Sequence, residues 1–123
     1  MKELNENEEK VMLILWQLKE AMVKEIMDKM EEPVPPYTTV SSIVRLLEKK
    51  GYVDHKAYGK THVYFPAIPQ GLYRKRRFNK MMAHFFDGSV SNVLSFLVQE
   101  KKLTKKEIKE LQHIVDQMEK EEK

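Results

Sequence analysis

Thr38, Ser42, Arg45 and Lys49 follow one another at intervals of four, three and four residues within PPYTTVSSIVRLLEKKGYV, the stretch from Pro35 to Val53. At roughly 100° per residue this spacing sets two short hydroxyls and two cations on one side of a helix, with Val40, Ile43, Val44 and Leu47 on the other. A hydroxyl can give or take a hydrogen bond at a base edge or a phosphate, and a guanidinium can fork onto a guanine or clamp a phosphate. Short side chains, with Thr39 and Ser41 added to the set, let such a helix lie deep in the major groove. Tyr37, at the start of the helix, is a candidate phosphate contact. Taken singly, each of these positions is ordinary solvated surface. Their convergence on one face is what points to a nucleic acid.

The elements around this helix carry its meaning. Asn5 and Glu8 form a variant capping box ahead of a helix that runs to about Lys19, with Val11, Ile14, Leu15 and Leu18 as its buried stripe and Met12 and Trp16 widening it. A second short helix fits Val23 to Met30, and Pro33-Val34-Pro35-Pro36 ends it. The third helix spans about Thr38 to Lys50 and stops at Gly51. Two strand-like runs follow, Tyr52 to Lys56 and His62 to Pro66, separated by the five residues Ala57 to Thr61, which reads as a β-hairpin. Lys56 and Lys60 would sit near its tip and reach the neighbouring backbone or minor groove. Three helices and a basic-tipped hairpin are the outline of a winged helix-turn-helix.

Charge follows the same division. Residues 1–32 carry five cationic against nine acidic side chains, whereas residues 45–85 carry ten against two. The net charge of +3 therefore conceals a cationic middle third, as expected of a protein that meets a polyanion with one surface. Arg74-Lys75-Arg76-Arg77 is either an additional electrostatic contact behind the wing or the basic opening turn of a linker helix.

Beyond Pro69 the pattern is helical throughout. Phe78, Met81, Met82, Phe85 and Phe86 form one stripe ending at Gly88; Ser89 to Val98, with Val93, Leu94 and Leu97, is a shorter apolar helix. Thr104 and Glu107 cap the last helix, whose stripe is Ile108, Leu111, Val115 and Met118, with Leu103 and Ile108 at staple positions. This much apolar surface on short helices is hard to bury within one chain, and a two-fold partner copy would cover it. The fold class expected is mainly α with a small β-hairpin: a winged-helix DNA-binding domain over 1–68 and a helical dimerisation domain over 69–123.

Little in the 123 residues supports catalysis. The histidines His55, His62, His84 and His113 belong to no HExxH motif, and the chain lacks a glycine-rich phosphate loop and a nucleophile elbow. His55 and His62 can face each other across the hairpin, but histidines on strands are more often surface or satisfied residues than ligands, so no metal and no cofactor are expected. The acid pairs Glu8-Glu9, Glu31-Glu32 and Glu121-Glu122 fall at helix ends and read as solvating charges. The absence of cysteine removes disulfides, thiolate metal sites and cysteine nucleophiles. No apolar run approaches the roughly 18 residues a bilayer crossing needs, and the opening MKELNENEEK is unlike a secretion signal, so no membrane partner and a cytoplasmic location are expected.

YTTVSSIVRLLEKKGYVDHKAYGKTHVYFPAI, together with LNENEEKVMLILW and LVQEKKLTKKEIKELQHIV, resembles the penicillinase and methicillin-resistance repressors, the BlaI/MecI family, which also includes the copper-responsive CopY repressors. The resemblance spans nearly the whole chain. It implies a winged-helix transcriptional repressor that binds palindromic double-stranded DNA operators as a homodimer, with the helix from about Thr38 as recognition helix. A winged-helix module for RNA or a protein partner is the alternative. Copper-responsive members carry a cysteine metal hook, which this chain lacks. β-Lactam-responsive members are inactivated when a membrane sensor triggers cleavage of an Asn-Phe bond in the penultimate helix. The matching pair here is Ser95-Phe96, in which the phenylalanine agrees and the serine does not. A sensor-linked protease is thereby an implied partner.

Overall fold

The structure, a computed structural model, describes the backbone of residues 2–121; the side chains of Met118, Glu119 and Glu121 and the whole of Met1, Glu122 and Lys123 lie outside the described residues. The elements are α1 (Glu6–Leu18), α2 (Val23–Asp28), α3 (Tyr37–Lys49), β1 (Val53–Tyr58), β2 (Thr61–Pro66), α4 (Gln70–Phe86), α5 (Val90–Gln99) and α6 (Lys105–Glu121). This is the mainly helical winged-helix architecture with a helical C-terminal segment. The chain forms two compact units and passes from one to the other between Lys75 and Arg76, inside α4.

Local sequence sets the element ends. At α1 the Asn5 side-chain oxygen accepts from the Glu8 backbone N–H at 2.8 Å while the Glu8 carboxylate accepts from the Asn5 N–H at 2.9 Å, completing the capping box. At the end of α3, Gly51 takes a φ of 87°. That left-handed turn lets the Tyr52 N–H reach the Leu47 carbonyl and the Gly51 N–H reach that of Glu48, both at 3.0 Å. The orphan carbonyls of the helix are thus satisfied and the chain is aimed directly into β1. Helix α2 stops at Asp28, two residues before Met30, because the Lys29 and Met30 N–H groups fall back on carbonyls three residues earlier.

The hairpin is tighter than the sequence suggested. β1 and β2 pair antiparallel from Val53 with Pro66 to Tyr58 with Thr61, so the connection is Gly59-Lys60 alone rather than a five-residue turn. Gly59 has a φ of 63° at the first central position, the place where a two-residue hairpin turn calls for glycine. Lys56 consequently lies opposite Val63 within the ladder and not at the tip. A third edge is added by Ala21, which exchanges both backbone hydrogen bonds with Tyr64 at 2.8 and 2.9 Å.

The core of the first unit gathers Val11, Met12 and Leu15 from α1, Ala21, Val23 and Ile26 around α2, Val40, Val44 and Leu47 from α3, and Tyr52, Val53 and Tyr64 from the hairpin. Tyr73, near the start of α4, joins it through rings 5.3 Å from Trp16 and 5.9 Å from Tyr52. The Trp16 indole N–H donates to the Ile68 carbonyl at 2.8 Å. One charged residue belongs to this interior. Glu8 is only 1% exposed, and its carboxylate accepts from the Lys50 ammonium at 2.8 and 2.9 Å. Lys50 also donates to the Glu3 carbonyl, and the Tyr52 hydroxyl donates to that of Lys2. Glu8 is therefore no solvating charge, as its position at a helix end had suggested, and the Lys50 charge is spent within the fold rather than on the surface.

In the second unit, Met82 is the only buried residue among those described. Phe86 and Phe96 meet edge to face with centroids 5.7 Å apart, and Val93, Leu94, Leu97 and Leu111 are half-buried. The α4 stripe divides: Met82 and Phe86 turn inward, while Phe78, Met81 and Phe85 are exposed. Ile108, Ile114 and Val115 of α6 and Phe96 of α5 are exposed as well. The capping box at α6 forms as expected, with the Glu107 N–H donating to the Thr104 hydroxyl at 3.1 Å and the Thr104 N–H to the Glu107 carboxylate at 3.2 Å.

Candidate nucleic-acid interface

The outward face of α3 is built by the burial of its opposite face. With Val40, Val44 and Leu47 at zero exposure, the helix cannot rotate without withdrawing them from the core. Thr38, Thr39, Ser42, Arg45 and Lys49 are exposed and Ser41 is half-buried. Tyr37, half exposed, stands at the first position of the helix behind Pro36, whose fixed φ presets the turn into it.

The hydroxyls are not equivalent. The Ser42 hydroxyl donates to the Thr38 carbonyl at 2.9 Å, so its free capacity is that of an acceptor turned outward. A group that accepts suits the amino groups of adenine or cytosine and does not suit a phosphate.

Between α3 and the wing lies a cleft of about 500 Å³ lined by Met22, Val23, Lys24, Tyr37, Ser41, Arg45, Lys60, Thr61, His62 and Tyr64. Three lysine and arginine side chains and no carboxylate border it. A groove with that lining attracts a phosphodiester backbone. Lys60 reaches it from the tip of the hairpin. Lys56 does not; its ammonium lies 5.6 Å above the Phe65 ring, although the residue is exposed. Lys24 and His62 are contributors that the sequence did not disclose, since neither shares a helical face or a strand run with the α3 residues.

The wing is clipped to α3. His55 Nδ1 and the Glu48 carboxylate meet at 2.5 Å, and the His55 ring stacks on His62 with centroids 4.4 Å apart and planes 16° from parallel. The two histidines do share one side of the hairpin. The ligand-type atoms that converge are those of Glu48, Asp54 and His55, within 4.8 Å of one another. Burial first, and the Glu48 carboxylate second, raise the Tyr64 phenol above its ordinary value of 10.0, so it lines the cleft as a neutral hydroxyl.

The sequence profile described as penicillinase repressor matches residues 4–117, which takes in both units. The chain belongs to the penicillinase repressor family. It is 23% identical over 117 residues to the penicillinase repressor of Bacillus licheniformis, covering 94% of this chain and 91% of that protein. It is 24% identical over 116 residues to the methicillin resistance regulatory protein MecI of Staphylococcus aureus (strain N315), covering 93% and 94%, and equally to that of Mammaliicoccus sciuri. Membership of the penicillinase repressor family makes this chain a DNA-binding transcriptional repressor by class. Among the described residues no helix is long and apolar enough to cross a membrane.

The residues singled out for dimerisation and for cleavage fall in the second unit. Phe78, Met82, Phe85 and Phe86 lie on α4, Val93, Leu94 and Leu97 on α5, and Ile108, Leu111 and Val115 on α6. Ser95 and Phe96 are both exposed within α5, and the Phe96 carbonyl accepts from the Glu100 N–H at 2.9 Å. Arg74, Lys75, Arg76 and Arg77 are exposed on α4.

Proposed function

We propose that this repressor acts as a homodimer on inverted-repeat DNA operators, placing α3 in the major groove and the Gly59-Lys60 tip beside the adjoining backbone, and that it occupies a promoter by steric exclusion. The observation that carries this reading is the outward face of α3: Arg45 and the hydroxyls are exposed on a helix held rigidly by its buried side, next to a cleft of cations. Dimerisation is supported by the second unit, whose apolar side chains on α4, α5 and α6 stay exposed in the single chain. A DNA partner implies a cytoplasmic location.

Titration of duplex DNA over a range of salt is the test. A steep fall of affinity with salt and a strong preference for an inverted repeat over one half-site are expected. Arg45→Ala should lose about 1–3 kcal/mol on the specific site, whereas Lys60→Ala should weaken binding to all sequences alike and flatten the salt slope. Equal affinity of Arg45→Ala and the parent on the preferred duplex would remove Arg45 from the reading set.

Release of DNA by a sensor-linked protease cutting between Ser95 and Phe96 completes the proposal. Both residues are exposed, but the bond lies inside a hydrogen-bonded helix, so cleavage requires local opening of α5. Incubation with an activated sensor protease should give a fragment ending at Ser95; an intact chain would discard this route.

A further inference from the structure

The two flanks of α3 differ in chemistry. On the wing side, Tyr37, Ser41 and Arg45 face the cationic cleft. On the other side a shallow groove of about 390 Å³ is lined by Thr38, Thr39, Ser42, Ile43 and Leu46, with no charged residue among them. Leu46 is 43% exposed, whereas Val40, Val44 and Leu47 of the same helix are fully buried. The core does not use it. On the helical wheel it falls between Ser42 and Thr39, inside the hydroxyl face.

We propose that this flank reads A·T base pairs, with Leu46 covering a thymine 5-methyl group and the outward lone pairs of Ser42 accepting from an adenine amino group. The proposal rests on the DNA-binding reading above. The thymine methyl is the one apolar group that base pairs present in the major groove, and an adenine N6 amino group stands beside it on the same pair. Leu46 supplies the apolar surface, flanked by Ile43 and the threonines. Ser42, already donating to Thr38, offers only acceptance and so matches an amino group rather than a carbonyl. Cytosine also offers an amino group, but it lacks the methyl, and the combination therefore favours A·T. A protein occupant is disfavoured by the surroundings: Arg45 and Lys49 are exposed on the same helix, and the adjoining cleft is cationic.

The experiment uses the full chain and a duplex enriched with it from a random-sequence pool. Each thymine of that duplex is replaced singly by uracil, which removes only the methyl. At the thymines facing α3, the parent should lose about fourfold in affinity per methyl. Leu46→Ala should bind the thymine and uracil duplexes equally while keeping the parent's salt slope and its Trp16 fluorescence. Parent affinity that is indifferent to uracil at every position, or Leu46→Ala that keeps full methyl sensitivity, would overturn the inference and leave the repressor reading intact. If no duplex is enriched, both fall.

Discussion

Replacing Lys50 by methionine is expected to destabilise the first unit by about 3 kcal/mol, because it strands the Glu8 carboxylate in the core. The asymmetry of the pair sets the direction. The Glu8 side chain is 2% exposed and that of Lys50 19%, so removing the lysine leaves the more deeply buried charge without its ammonium. Glu8→Gln, by contrast, keeps an oxygen for the Asn5 cap and leaves Lys50 near water, and should cost less. The double variant should recover much of the loss, since no unpaired charge remains. Burial alone would raise the Glu8 carboxyl, but the Asn5 N–H and the Lys50 ammonium together hold it below its ordinary value of 4.5. A carboxyl depressed in the native state stabilises above its unfolded value, and that contribution is lost as the pH falls through the native one. The acid limb of the parent should therefore lie below pH 4.5, and in Lys50→Met it should move upward, because two of the influences lowering the carboxyl come from Lys50. Denaturant titration followed by Trp16, the single tryptophan, reports this unit. A Lys50→Met protein as stable as the parent at pH 7 would mean that the pair contributes nothing.

Phe85→Glu is expected to yield a monomer and to lower affinity for an inverted repeat by about 10²–10⁴-fold, while leaving affinity for a single half-site nearly unchanged. Phe85 is 78% exposed in the single chain, so a carboxylate there finds water and leaves the second unit folded. Within an interface between copies the same carboxylate would be desolvated without a partner. The loss on the repeat follows from losing the linkage between two reading heads, not from any change in α3. Sedimentation gives the mass, and titration on whole and half sites gives the ratio. A dimer that survives Phe85→Glu would move the association surface elsewhere on the helices, and a parent that is itself monomeric at micromolar concentration would remove the dimer altogether.

What could be read in advance follows from range along the chain. The caps at Asn5, Gly51 and Thr104 are local, and all three form as their spacing implied. The buried face of α3 was equally plain, since Val40, Val44 and Leu47 repeat at helical intervals. The Glu8–Lys50 pair joins residues 42 apart, and no periodicity connects them. The hairpin turn was misread although its signal was present: a glycine followed by one residue between Tyr58 and Thr61 fits a two-residue connection, and the longer loop set Lys56 at the end of its strand near the tip instead of opposite Val63. Lys24 and His62 join the cleft through tertiary packing alone. Leu46 was assigned to neither face of the helix, although its wheel position falls among the hydroxyls; its 43% exposure is what marks it as surface.

The hairpin is sewn to the rest of its unit along one edge through Ala21 and Tyr64 and at one end of α3 through His55 and Glu48. Its freedom is surrendered during folding, so a duplex arriving at α3 meets a jaw already set at its final gape. Little further ordering of the wing is left to oppose association, and the heat capacity of complex formation will track the area covered rather than a segment condensing onto its target.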